Sequence, residues 1–137
     1  MRVFLDANIL FSAAKSDGAV RALLRLLVEH GHECWGDAYV VAEARRNLLA
    51  KGPAALAVLD ALLAHLRLVS AAAATAAPAA HLAWLPEKHQ PVLAAAIRLR
   101  CDALVTGDRT HFGAGDGRSF GGVTVQSPRS LGERLLA

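Results

Sequence analysis

The chain has 137 residues, of which 54% are hydrophobic, 20% charged and 5% aromatic, with a formal charge of +3 at neutral pH. This predicts a single domain over 1–137, long enough to bury a sizeable core and too short for two domains. The apolar fraction is too high and the net charge too low for a disordered tail.

Arginine supplies most of the basic excess, with twelve arginines against three lysines. A charge of +3 is by itself weak support for a nucleic-acid partner. Cys34 and Cys101 sit among apolar neighbours, with no CxxC pair and no zinc-like Cys/His spacing. They are expected as buried free thiols of a reducing compartment, one disulfide being the alternative. The apolar start Met-Arg-Val-Phe-Leu is broken by Asp6, which argues against a secretory leader. The uncharged stretch from Leu68 to Pro86 approaches a membrane span in length but is mostly alanine and holds Ser70, Thr75, Pro78 and His81. A cytoplasmic protein without a membrane segment is expected.

In chain order, the apolar run 2–5 predicts a buried strand that ends at Asp6. Asn8 and Ser12 fall in a short helical or turn segment. From Gly18 to His30, Val20, Leu23, Leu24, Leu27 and Val28 recur at helical spacing, and Gly31 closes the helix. Residues 33–36 read as a second strand. Asp37 is placed to cap a helix over Ala38–Lys51, which Gly52-Pro53 ends. A helix over 54–65 and a strand over 66–69 follow. The alanine-rich stretch 71–80 reads as a loop with one helical turn. A helix is expected from near Pro91 to Arg100, then a strand from Asp102 to Thr106. The loop holding Gly113, Gly115 and Gly117 leads to a last strand, Val123–Val125, and Ser127-Pro128 opens a terminal helix. Trp35 and Trp84 read as packing residues. Strands alternating with helices imply an α/β fold whose mostly parallel sheet is covered on both faces. In such folds sites form at the carboxyl ends of strands, where the strand order reverses.

Two carboxylates satisfy that rule. Asp6 follows the strand Val3-Phe4-Leu5, and Asp108 follows Leu104-Val105-Thr106-Gly107. A third, Glu43, borders the helix face formed by Val40, Ala44, Asn47 and Leu48, with Arg45 and Arg46 directed elsewhere. Acids converging on one sheet edge repel one another and raise each other's pKa. A hard divalent ion, Mg²⁺ or Mn²⁺, removes the conflict, with Asn8 and Thr106 as neutral oxygen neighbours. Such a centre can activate water for displacement at phosphorus. Each acid also has an ordinary reading: Asp6 as a helix cap, Asp108 as a turn residue, Glu43 as a surface partner of Arg46 or Asn47.

These residues carry a resemblance. Val-Phe-Leu-Asp6-Ala-Asn8-Ile-Leu, then Val-Val-Ala-Glu43-Ala-Arg-Arg-Asn-Leu, then Ala-Leu-Val-Thr106-Gly-Asp108-Arg109 with His111-Phe-Gly resemble, in order, the motifs of PIN-domain ribonucleases, the VapC-like toxins among them. The resemblance spans nearly the whole chain, including the closing Gly-Gly-Val-Thr-Val-Gln-Ser-Pro. It implies a three-layer α/β/α sandwich and a Mg²⁺- or Mn²⁺-dependent endoribonuclease acting on RNA. It also implies the toxin of a bacterial toxin–antitoxin pair, with an antitoxin protein as partner and a homodimer as a frequent assembly. Carried over by position, Asp6, Glu43 and Asp108 are catalytic metal ligands, supported by Asn8 and Thr106.

One position departs from the pattern. Registered on Pro91, His89 stands where the family has another aspartate, so it is the expected fourth ligand. Imidazole suits Mn²⁺ better than Mg²⁺, which predicts weaker binding or a shift towards Mn²⁺. Glu87 and Asp116 are the acids placed to compensate, and the alternative for His89 is a helix-start hydrogen bond. Arg45, Arg46 and Arg109, which follow the acids, are the expected RNA phosphate contacts, with His111 as a lesser one. The departure keeps a second reading open: a catalytically weak or inactive PIN-like module that binds RNA or protein. A receiver-type phosphotransfer module lacks its last-strand lysine here. A haloacid-dehalogenase-type phosphatase lacks its second aspartate in Asp6-Ala7-Asn8.

Overall fold

The computed structural model describes residues 1–71 and 78–136. Among these residues six strands form one sheet in the order β3-β2-β1-β4-β6-β5, parallel throughout except for the last pair. They are β1 (Arg2–Leu5), β2 (Glu33–Asp37), β3 (Arg67–Val69), β4 (Ala103–Val105), β5 (Ser119–Phe120) and β6 (Val123–Gln126). Helices flank the sheet: α1 (Ala7–Lys15), α2 (Ala19–Glu29), α3 (Ala38–Lys51), α4 (Leu56–Leu63), α5 (Ala79–Leu82), α6 (Gln90–Arg98), α7 (Arg109–Phe112) and α8 (Pro128–Leu136).

The central strands are apolar because both their faces are covered. Val3, Phe4 and Leu5 of β1 and Ala103, Leu104 and Val105 of β4 are fully buried and lie in register side by side. The sheet order reverses between these two strands, so their carboxyl ends open the cleft predicted from the sequence. At the edges β3 is largely exposed, and β5 is only two residues long.

The helices follow local signals. Asp37 Oδ1 accepts from the Val40 amide at 3.1 Å, and α3 runs over the predicted span to Gly52. Its inner row is Val40, Ala44 and Leu48. The segment at Asn8 and Ser12 is a full nine-residue helix, α1, which packs against α2, α3 and α4. On α2, Leu23, Leu24 and Leu27 turn inward, but Val28 is 41% exposed, so the apolar face is narrower than its sequence pattern. Helix α6 stops at Arg98, two residues before the predicted end, and Arg100 takes a left-handed φ of +54°. The predicted last strand gains an antiparallel partner, β5, through the Gly121-Gly122 turn, whose φ values of +57° and +86° suit a two-residue hairpin loop. Most of the stretch 71–80 lies outside the described residues, and α5 covers its end. Among the described residues no helix is long and apolar enough to cross a membrane. Cys34 and Cys101 are free and buried, and burial pushes their thiols up to about 11 and about 12.

The aromatic floor under the β4–α7 loop is tightly packed. Trp84 stacks on Phe120 at 4.7 Å, meets Phe112 edge-on at 6.0 Å, and donates its indole N–H to the His81 carbonyl at 2.8 Å. Gly115 is buried against it, and a Cβ there would stand 2.5 Å from Trp84 Cη2. Gly115→Ala is therefore expected to cost about 1–3 kcal/mol by overpacking. Urea unfolding followed by tryptophan fluorescence checks it, and an unchanged midpoint would refute the packing account.

Candidate active site

Parallel pairing of β1 with β4 sets Leu5 beside Val105, and the Asp6 amide continues the ladder onto the Val105 carbonyl at 3.1 Å. Asp6 and Thr106 thus leave the sheet side by side. Asp6 as a residue is 4% exposed. Its Oδ1 accepts from the Ala7 amide at 2.7 Å, so the cap reading holds alongside any other role. Its Oδ2 accepts from the Thr106 hydroxyl at 2.8 Å and from Asn8 Nδ2 at 3.2 Å. Asn8 Oδ1 accepts from the Gly107 amide at 2.7 Å, and Thr106 Oγ1 accepts from the Asp108 amide at 3.1 Å. A closed polar network therefore ties the end of β1 to the loop after β4, with Asn8 and Thr106 in the supporting positions.

Asp108 caps α7. Its Oδ1 accepts from the His111 amide at 3.0 Å, and its Oδ2 lies 2.8 Å from His111 Nδ1 and 3.8 Å from His89 Nε2. The two imidazoles stack with centroids 4.2 Å apart, and Phe112 packs edge-on against His89 at 5.7 Å. His89 occupies the N-cap position of α6, but its side chain makes no cap hydrogen bond. Its Nε2 is buried and, among the described residues, has no hydrogen-bond partner. An unpaired buried polar atom costs about 1–3 kcal/mol.

Electrostatics mark the same place. Burial pushes the Asp6 carboxyl up to about 6; hydrogen bonds from Thr106 and Ala7 pull against this, and the charges of Glu43 and Asp108 add to it. Burial also raises Asp108, but the amide and ring of His111, with His89, outweigh it and hold this carboxyl below its ordinary value. Burial, then the neighbouring His111, lowers the His89 imidazole.

The expected residues fall into three groups. Asp6, Asn8, Thr106 and Asp108 are joined by hydrogen bonds. Glu43 is half-buried on α3 and adds its charge to the fields at Asp6 and His89. His89 is beside Asp108 rather than beside Asp6. Among the described residues, the group whose ligand atoms all come within 4.8 Å of one another is His89, Asp108 and His111, without Asp6 or Glu43. His111 was legible only as a phosphate contact; the signal missed was its place three residues after the capping Asp108. Glu87 is exposed and outside this group, while Asp116 Oδ1 accepts from the Ser127 amide at 3.3 Å. Tyr39, also unforeseen, donates its hydroxyl to the Lys88 carbonyl at 2.7 Å and so fastens α3 to the turn that carries His89.

The three arginines separate as well. Arg45 Nη2 lies 2.7 Å from Asp60 Oδ1 on α4, so this guanidinium is already engaged. Arg46 is exposed. Arg109 lines a cavity of about 510 Å³ beside Thr106 and Asp108 that extends to Gln126 and Ser127.

A model of the PIN domain matches residues 2–110, most of the chain, with Asp6, Asn8, Glu43, His89, Thr106 and Asp108 inside the match and His111 one residue beyond it. The chain belongs to the PIN-domain family. Members of this family are typically nucleases. The fold agrees: a chain of the crystal structure of VapBC2 from Rickettsia felis, bound to a DNA fragment from its promoter, superposes with a TM-score of 0.69 at 18% identity, over 93% of this chain and 98% of that one. No curated protein matches this PIN domain by sequence.

Proposed function

We propose that this PIN domain is a divalent-metal-dependent endoribonuclease that hydrolyses RNA phosphodiester bonds, and that it is the toxin of a toxin–antitoxin pair. One observation carries the reading. Asp6 and Asp108 are tied together through Thr106 in the cleft where the sheet order reverses. The donor set fits a divalent ion, because Asp6 is held in a buried field of like charges and His89 Nε2 is left without a partner. Asp6, Glu43 and Asp108 would hold Mg²⁺ or Mn²⁺, with His89 at the rim. When bound, the ion supplies Lewis-acid activation of water and neutralises charge at phosphorus.

The chain's own groups supply the rest. Asn8 and Thr106 fix the Asp6 carboxylate through hydrogen bonds, and Asp108 is fixed by the amide of His111. Arg109, in the cavity beside Asp108, and exposed Arg46 supply phosphate contacts at the rim of the acids. A carboxylate of the cluster takes the proton of the attacking water. The VapBC2 name of the Rickettsia felis structure supports an antitoxin protein as partner, and a homodimer and a cytoplasmic location accompany this reading.

Metal-free protein incubated with single-stranded and hairpin RNAs tests the proposal. Cleavage is expected on adding Mn²⁺ or Mg²⁺ and is expected to stop with a chelator. RNA or protein binding without cleavage under every ion would overturn it in favour of the weak or inactive PIN-like module, the reading that His89 in place of an acid favours. The arginines give a finer check. Arg46→Ala and Arg109→Ala should each lower the salt dependence of RNA binding by about 0.7 in log–log slope, the single-strand value for one phosphate contact. Arg45→Ala should leave the slope unchanged, because its guanidinium is held by Asp60. Equal slopes for all three variants would refute the rim assignment.

A further inference from the structure

We propose that His89, Asp108 and His111 form a site for a transition ion of the zinc class (Zn²⁺, Co²⁺ or Ni²⁺), and that this corner of the cleft takes such an ion in preference to Mg²⁺. The inference shares Asp108 with the nuclease reading but stands without it, since it concerns ion binding and not RNA cleavage.

Three features support it. The ligand atoms already converge: Asp108 Oδ2 is 3.8 Å from His89 Nε2 and 2.8 Å from His111 Nδ1. Donors about 2.0–2.2 Å from one tetrahedral ion stand roughly 3.3–3.6 Å apart, so the Asp108–His89 separation has to close, and the Asp108–His111 separation to open, by less than about 1 Å. The rings are also held in place, stacked on each other at 4.2 Å with Phe112 against His89. Finally, the hydrogen bond between Asp108 and His111 explains that pair but leaves His89 Nε2 buried and unpartnered. An ion between the three groups would satisfy it.

The donor chemistry selects the ion. Two imidazole nitrogens and one carboxylate oxygen suit borderline-soft ions, whereas Mg²⁺ requires octahedral oxygen ligands and keeps its waters. Binding requires the His111 tautomer protonated on Nε2, which frees the Nδ1 lone pair. The donors come from three places: the 3₁₀ turn Glu87–His89, the loop after β4, and α7. Only the folded chain therefore assembles them.

The test uses the whole chain freed of metal. Titration with Co²⁺ should give visible d–d absorption saturating at one equivalent, lost on adding one equivalent of Zn²⁺ and retained in about a 1,000-fold excess of Mg²⁺. His89→Ala and His111→Ala should each weaken Co²⁺ binding on the order of 100-fold or more, since losing a ligand exceeds losing an outer-shell partner. Circular dichroism melts establish that the variants fold. Imidazole ¹⁵N shifts give a reading on the parent protein, and Zn²⁺ should move His89 Nε2 and His111 Nδ1. Displacement of Co²⁺ by Mg²⁺, or unmoved imidazole nitrogens, would overturn the site. The same preparations assayed on RNA separate the two claims. Cleavage with Mg²⁺ alone and no Zn²⁺ binding sinks this inference, and Zn²⁺ binding without any cleavage sinks the nuclease reading.

Discussion

Asp6→Asn is expected to abolish RNA cleavage while making the metal-free fold more stable above pH 6. The loss should be on the order of 100-fold or more, the scale on which disturbed metal sites lose activity. The gain in stability follows from burial. The Asp6 carboxyl moves from 3.8 to about 6 in the folded chain. The folded state therefore holds this proton more tightly than the unfolded state does. The carboxyl favours folding below pH 3.8, and that advantage is lost as pH rises through about 6. At full ionisation the shift corresponds to about 3 kcal/mol against folding. Asparagine removes the charge but keeps only one oxygen for the amide of Ala7, the hydroxyl of Thr106 and the amide group of Asn8, so the net gain is nearer 1–2 kcal/mol.

Thermal melts of metal-free parent and variant between pH 4 and pH 8 check this. The difference in Tm should open between pH 4 and 6 and stay constant above. A variant destabilised equally at pH 4 and pH 8 would refute the buried-charge account. Saturating Mn²⁺ should reverse the order, because ligand at 100 times its Kd stabilises by about 2.7 kcal/mol the form that binds it.

What was legible in the sequence was what local chemistry decides. Helix α3 lies where Asp37 and Gly52-Pro53 place it, since a cap and a breaker act within a few residues. Strand β1 ends at Asp6 because this carboxylate caps the helix that follows, and the Thr106 hydroxyl partners it in the buried cleft. Helix α6 stops short of its predicted end because the chain turns at Arg100 in a left-handed conformation, where no glycine marks the stop. Strand β5 is two residues whose only reason to be a strand is β6 across the Gly-Gly turn. The candidate site divides in the same way. Asp6, Thr106 and Asp108 stand at strand ends, and the period of the chain exposes them. The stack of His89 on His111 joins two elements with β4 between them, and the Arg45 pair depends on how α4 docks against α3. No local pattern carries either contact.

Thr106→Val is expected to damage stability and activity together, and the pH profile tells the two effects apart. The Thr106 hydroxyl donates to Asp6 Oδ2 and accepts from the Asp108 amide and from Asn8 Nδ2. Valine fills the same volume without the hydroxyl, so one buried carboxylate loses a donor and one amide loses its acceptor. Two such losses cost about 2–4 kcal/mol, which urea unfolding measures. The Thr106 hydrogen bond also pulls the Asp6 carboxyl down against its burial. Without it, Asp6 ionises at a higher pH than in the parent. If ionised Asp6 helps to hold the ion, the acidic limb of kcat/KM must move towards neutral pH. Cleavage should then fall more at pH 6 than at pH 8. Thr106→Ser keeps the hydroxyl and should restore the position of the limb even where it does not restore full stability. A limb that stays in place in the valine variant would show that Thr106 only braces the loop after β4, and would remove Asp6 from the ionising groups that govern the reaction.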